Sequence, residues 1–442
     1  MLVSHFRYLV ALCIVGCVAG SAYAEPVSFK KQIATILIDN CLSCHGPKKA
    51  EGGWRVDTIE RLKSPGDSTS ASLTAGQPGD SDLLARMKSD DPSTRMPYDS
   101  EPLSAETIAL VEQWIAEGAN FEDADPKQSL YKVIPPPTHP ASPEKYQAPL
   151  PATATVFRPD GQEIVVAGYN EVLVKKAADG ALVRRIGNLP QRIYGLSFSP
   201  DGGTLAVAGG TPGRLGEVRL VKFETGEITR VVSSAADVVF DAQFSPNGQR
   251  LATASADGVV RVFNVADGVE QLAMPSHSDW ILALAWSADG AKLASASRDK
   301  TAKAYDANTG DLLATYSTHN APVRGVAFNA DGTEVWSLGS DNKLHRWAIA
   351  DSAKKAEQAL AAEGYKLVRS GDFLLAATAE KKVRQWKLDG TLVREFAGAN
   401  DWLLAADINP ATKRVVAGSF DGEIRLWNLD DGAAVANFPA AP

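Results

Sequence analysis

The sequence predicts a multidomain chain, a small all-α domain followed by an all-β, seven-bladed propeller. Three observations carry this. A turn signature closing an alternating strand recurs at a near-constant interval over the last two thirds of the 442 residues. Helical periodicity is confined to the first quarter, and a proline-dense stretch separates the two regions.

The repeat marker is FRPDG at 157–161, FSPDG at 198–202, FSPNG at 244–248, WSADG at 286–290 and FNADG at 328–332. Its Asp160, Asp201, Asn247, Asp289 and Asp331 lie 41, 46, 42 and 42 residues apart. The next copy, INPAT at 408–412, places Ala411 80 residues beyond Asp331. That is two periods with a degenerate copy between them, so seven units are expected. In the third unit VVFDAQF, RLATASA, VVRVFNV and EQLAMP are divided by SPNG, ADG and ADG, four short strands with turn signals between them. Four strands in about 40 to 45 residues is the spacing of WD40 repeats, which Ala152 to Pro442 resemble. Remnants of the Trp-Asp dipeptide stand at Phe263-Asn264, Tyr305-Asp306, Trp347-Ala348 and Trp427-Asn428, and the turn aspartates Asp257, Asp299, Asp341 and Asp421 are better kept. The resemblance implies structural roles for His277 and His319, bonded toward a strand hydroxyl and to Asp299 and Asp341.

Upstream, Phe29, Ile33 and Leu37 share one helical face that ends near Asn40. Ser104 is placed to N-cap a second helix presenting Ile108, Val111 and Ile115, and Leu83, Leu84 and Met87 mark a short third one. Lys63 to Asp80 reads as loop. Prolines at 126, 135, 136, 137, 140, 143, 149 and 151 make residues 122–151 an extended, semi-rigid spacer. The expected organisation is a signal peptide at 1–24, a helical domain at 25–121, the linker at 122–151 and the propeller at 152–442.

His5 and Arg7, the apolar run Tyr8 to Val18 and the Ala22-Tyr23-Ala24 site together read as an export signal, too short for a membrane-spanning helix. The rival is lipid anchoring at Cys17, after Ile14-Val15-Gly16. Cleavage after Ala24 would leave Cys41 and Cys44 as the mature cysteines, in a periplasmic compartment where thiols are normally oxidised. With 53 acidic against 45 basic residues and no Lys/Arg-rich run, nucleic acid is not an expected partner.

Cys41-Leu42-Ser43-Cys44-His45 is a C-x-x-C-H motif, the attachment sequence of c-type haem. Residues i and i+3 of a helical turn lie on one face, so both thiols can add to one porphyrin, and the next residue offers an imidazole to the iron. Composition alone predicts roughly 5 × 10⁻⁴ chance occurrences in the chain, so the motif is specific. A zinc site would need a second ligand pair, a disulfide across two residues would leave His45 unexplained, and a thioredoxin-like pair belongs in an α/β domain. For the sixth ligand, Met96 lies in a loop 51 residues after His45, just before Pro97; His139 in the linker is the rival, and Met87 reads as core.

FKKQIATILIDNCLSCHGPKKAEGGWRVDT, AGQPGDSDLLARM, RMPY and PLSAETIALVEQWIAEGA, within Val27 to Phe121, resemble the planctomycete-type cytochrome c domain. The resemblance implies covalent haem at Cys41 and Cys44, His45 as proximal ligand and Met96 as distal ligand. The family usually follows the methionine with two prolines; here Tyr98 follows Pro97.

The expected function is electron transfer between redox partner proteins, with the propeller as docking platform, rather than catalysis. The alternatives are a redox enzyme whose propeller holds a substrate or second cofactor, and a haem-based sensor. Aligning units on their turns puts Trp280 and Trp402, preceded by Asp279 and Asp401, at one position, shared with Arg192, Val238 and Pro322. This position is the candidate partner-binding face, Trp and Arg being enriched among interface hot spots. The 46-residue interval, which contains Thr211 to Gly216, is expected to add a loop to it.

Overall fold

The computed structural model describes residues 25–47, 49–235 and 237–441. The expected signal peptide and Cys17 lie outside these residues. The chain divides into two compact units, the first ending at Ile134 and the second running from Pro135 to Pro442. No helix among the described residues is long and apolar enough to cross a membrane.

The first unit is helical. A π-wound turn, Phe29–Ile33, leads into α1, Ala34–Asn40; α2 is Ile59–Leu62, α3 Asp82–Lys88, α4 Ala105–Ala116 and α5 Leu130–Val133. The Ser104 hydroxyl accepts from the Thr107 amide and caps α4 as its sequence predicts. The apolar stripes meet in one core, where Phe29, Ile33 and Leu37 pack with Met87, Val111, Trp114 and Ile115. Phe29 stacks on Trp114 at 5.5 Å between ring centres.

The second unit is a propeller. Among the described residues 28 strands form seven four-stranded antiparallel sheets, each made of consecutive strands from β1-β2-β3-β4 to β25-β26-β27-β28. The inner strands are β1 Thr155–Phe157, β5 Arg192–Phe198, β9 Val239–Phe244, β13 Ile281–Trp286, β17 Val323–Phe328, β21 Gly364–Ser370 and β25 Leu403–Asn409. Each lies against the next, and β25 against β1, closing the ring. The repeated turn works through its own residues: in blade 3 Ser245 Oγ accepts from the Arg250 amide at 3.0 Å, while Gly248, at φ 71°, closes back onto the Ser245 carbonyl. Blade 6 is the degenerate copy. Its Ser370 pairs directly with Phe373 around Gly371-Asp372, so the longer turn that marks the other units is missing.

Two expectations are corrected. Residues 122–151 are not one spacer. Only Pro126 precedes position 135, which leaves room for α5; Leu130 is wholly buried in the first core, and Ser129 bridges Thr58. From Pro135 the chain becomes a strap on the propeller, because its backbone groups find partners there. Arg219 of β7, Leu215–Lys222, donates to the Pro137 and Asn188 carbonyls at 2.5 and 2.6 Å and to Glu217 at 2.8 Å, and His139 bonds the other Glu217 oxygen. Further along, Arg185 donates to the Pro143 and Glu144 carbonyls, Tyr146 bonds Glu171 at 2.6 Å, and the Ala152 amide reaches the Ser419 carbonyl of blade 7 at 3.0 Å. The second correction is the insertion. Thr211 pairs with Leu215, so the extra residues lengthen β6, Thr204–Thr211, and β7 as a hairpin instead of forming a loop.

Candidate functional site

The C-x-x-C-H segment follows directly from the end of α1. Cys41 caps that helix, its amide bonded to the Leu37 carbonyl at 3.0 Å, and the chain turns once more as the Cys44 and His45 amides both bond the Cys41 carbonyl, at 3.2 and 2.9 Å. Gly46 lets the chain leave this turn, since a Cβ there would stand 2.6 Å from the Leu42 carbonyl oxygen. Both cysteines are free thiols, Cys44 exposed and Cys41 half-buried. Burial, with Cys44 as neighbour, pushes the Cys41 thiol up to about 12.

The His45 ring is buried edge-on to Trp54, 5.0 Å between centres, with Nδ1 3.3 Å from the Trp54 carbonyl oxygen. Donating that proton fixes the tautomer in which Nε2 keeps its lone pair, and Nε2 has no hydrogen-bond partner among the described residues. Two thiols on one turn, followed by an imidazole anchored through one nitrogen, are a donor set that suits covalent haem attachment.

The three sixth-ligand candidates stand in different surroundings. Met87 is core, as expected. Met96 is half-buried in the loop after α3, its amide bonded to the Arg86 carbonyl at 3.0 Å. His139 belongs to the strap, where Glu217 engages its imidazole.

On the propeller, strand register places Arg192, Val238, Trp280, Pro322 and Trp402 at equivalent positions, and Glu363 holds that position in degenerate blade 6. Next to them, six inner strands carry a β-bulge whose extra residue is Tyr194, Phe240, Leu282, Arg324, Tyr365 or Leu404. A bulge re-aims a side chain, and six of the seven blades repeat it near the start of the inner strand. One aromatic arc runs Tyr194, Phe240, Trp280 at 5.3 and 5.4 Å, with Arg298 lying 4.0 Å over Trp280. A second runs Tyr365, Trp402, Phe420 at 6.2 and 5.9 Å, with Trp402 46% exposed. Against the upward push of burial, bonds from Arg298 and the Trp280 amide hold the Asp279 carboxyl below its usual range. Bulges have no signature in an unaligned sequence, so these arcs were not foreseen. A pairwise reading of β5, β9 and β21 for aromatics two residues past the aligned position would have found Tyr194, Phe240 and Tyr365.

His277 and His319 make the bonds expected of them, to Asp299 and Ser295 at 2.8 and 2.7 Å and to Asp341 and Ser337 at 3.0 and 2.9 Å. Periodicity, sheet order and these bridges agree with the family comparison, in which residues 151–428 match the family described as IFT122 first beta-propeller. The chain belongs to this propeller family. Outside it, residues 41–99 match the family described as Planctomycete cytochrome C, which spans the C-x-x-C-H motif and Met96. Individual relatives match over short stretches. Nuclear distribution protein PAC1 of Tuber melanosporum is 33% identical over 67 residues, 15% of this chain and 15% of the relative. Eukaryotic translation initiation factor 3 subunit I of Neosartorya fischeri is 32% identical over 79 residues, 17% of this chain and 23% of the relative. The match thus spans less than a quarter of either relative.

Proposed function

We propose that this protein is an exported electron carrier, with haem c attached at Cys41 and Cys44, His45 as proximal ligand and Met96 as distal ligand, and with the propeller as the surface on which redox partners dock. The observation that carries this reading is the paired thiols on one turn followed by an imidazole with Nδ1 turned to the Trp54 carbonyl and Nε2 unpaired among the described residues. The cytochrome match over residues 41–99 supports it. Haem would supply one-electron exchange at its iron, and Cys41, Cys44, His45 and Met96 are the residues that would hold it. The chain's own part is positional. Trp54 orients the His45 ring, the Gly46 turn brings it beside the two thiols, and the core under α1 and α4 holds that turn. Docking is assigned to the face on which the inner strands begin, with Trp280, Trp402 and Arg192 as the candidate anchors.

The test is maturation in a periplasm equipped for c-type haem attachment, followed by denaturing mass spectrometry. One added haem is expected in the wild type and none when Cys41 and Cys44 are both changed to Ala. A free dithiol in properly matured protein would overturn the reading.

A further inference from the structure

Blades 4 and 7 build the same corner on the docking face, and blade 7 lacks one part of it. The Trp280 amide donates to Asp279 Oδ1 and the Trp402 amide to Asp401 Oδ1, both at 2.8 Å. The Arg298 amide meets the Trp280 carbonyl and the Phe420 amide the Trp402 carbonyl, again both at 2.8 Å. Each indole has an aromatic neighbour from the preceding blade, Phe240 at 5.4 Å and Tyr365 at 6.2 Å. What differs is the side chain supplied by the matching turn. In blade 4 it is Arg298, whose Nε donates to Asp279 Oδ2 at 2.8 Å while its guanidinium lies 4.0 Å over Trp280. In blade 7 it is Phe420, an exposed ring tilted 50° from the indole at 5.9 Å. We propose that the Asp401 and Trp402 corner of blade 7 receives an arginine side chain of the docked partner, in the place that Arg298 fills in blade 4. This rests on the reading of this face as the docking surface, and it names the chemistry of what docks there.

The unmet group is the Asp401 carboxylate. Its Oδ2 has no hydrogen bond or ion pair among the described residues, and Lys381, which approaches this loop from blade 6, donates to the Asn400 carbonyl at 2.8 Å. Trp280 is half-buried, whereas Trp402 is exposed. A phenyl ring cannot pair with a carboxylate, so the corner keeps an acceptor and an indole face for a cation from outside. Arginine suits both at once, because its planar fork bonds a carboxylate while its flat face stacks on an aromatic ring. Lysine brings a point charge without that plane. Tyr365 and Phe420 flank the indole and give cover to the apolar stem of such a side chain.

Fluorine NMR of the full-length protein labelled with fluorotryptophan reads this corner, the Trp402 resonance being identified from Trp402→Phe. The probe is the capped tripeptide acetyl-Gly-Arg-Gly-amide, with its neutral citrulline counterpart as the shape control, both at constant ionic strength. A saturable shift of the Trp402 resonance is expected, with the citrulline peptide weaker by about threefold or more, since an exposed ion pair and a cation–π contact act together. Asp401→Asn should weaken the arginine peptide to a similar degree. Phe420→Arg should abolish its binding, because the introduced guanidinium fills the corner from within, and melting curves confirm that each variant is folded. No saturable shift up to roughly 200 mM peptide would overturn the proposal. So would an equal response to the citrulline peptide, or unchanged affinity in folded Asp401→Asn. Docking itself is judged separately, by partner capture with the Trp280→Ala, Trp402→Ala double variant. If capture falls there while the arginine peptide leaves Trp402 unmoved, the face stands and the arginine assignment alone fails.

Discussion

Arg219→Met is the sharpest test of how the strap is held. The Arg219 and Glu217 side chains, 2% and 0% exposed, form a 2.8 Å ion pair in β7, and Arg219 also holds the Pro137 and Asn188 carbonyls. Methionine fills much of the space but leaves the fully buried Glu217 carboxylate with only the His139 imidazole as partner, and breaking a buried pair in this way costs about 3–5 kcal/mol. For a unit of about 300 residues, near 2 °C per kcal/mol, the propeller transition should fall by roughly 6–10 °C. Protease should cut residues 135–151 faster, because the Pro137 anchor is gone. Adding Glu217→Gln removes the stranded charge, so the double variant should regain part of the loss. Circular dichroism melts and timed proteolysis read both effects. The reasoning fails if Arg219→Met melts within about 1 kcal/mol of wild type, or if the double variant is no more stable than the single.

Three further outcomes are expected. Met96→Ala in haem-loaded protein should lose the sulfur-to-iron charge-transfer band and bind carbon monoxide when reduced; an unchanged optical spectrum would remove Met96 as ligand. Trp280→Ala with Trp402→Ala should weaken partner capture from periplasmic extract by about 2 kcal/mol or more while the protein stays folded and keeps its haem, and equal recovery of the same partners would reject this face. Burial, reinforced by His319 at 4.2 Å between ring centres, lowers the His345 imidazole from 6.5 to about 4. The unfolded chain then binds the proton more readily, so stability is full above about 6.5 and declines as pH falls toward 4; denaturant midpoints across that range should show this slope, and His345→Leu should flatten it.

Much of the fold was legible because it depends on local chemistry. Turn glycines, alternating strands and the Ser104 cap act within a few residues, and their spacing revealed seven units even with blade 6 degenerate. The missing marker there has a plain cause, a two-residue turn at Gly371-Asp372 that needs no Ser-Pro-Asp-Gly. The Cys41 to His45 segment was legible for the same reason, as one turn of chain. The strap was not, because its partners lie far along the sequence, with Arg219 82 residues from Pro137. A signal did exist: Glu217 and Arg219 sit on one face of a strand that is otherwise apolar, and charges placed there require partners.

The unbroken order of strands within every sheet has a consequence for the way the ring is made. No strand is exchanged between blade 7 and blade 1, so each blade can complete its hydrogen-bonded ladder once its own four strands have emerged during synthesis. Six sheets can form before the last is translated, without any of them waiting for a distant segment. Only the seam is left for the end, where Phe157, Ile164 and Val166 share a core with Val416, Ile424 and Leu426 and the polar fastenings are single groups. Asp407 meets the Phe157 amide, Asn409 donates to the Pro159 carbonyl at 2.9 Å, Lys175 donates to the Pro439 carbonyl at 2.8 Å, and the Ala152 amide meets Ser419. Chain length and circular closure are thereby separated. Duplicating or deleting one blade-length cassette would leave every remaining sheet intact and alter only the curvature on which this core and its latches must meet.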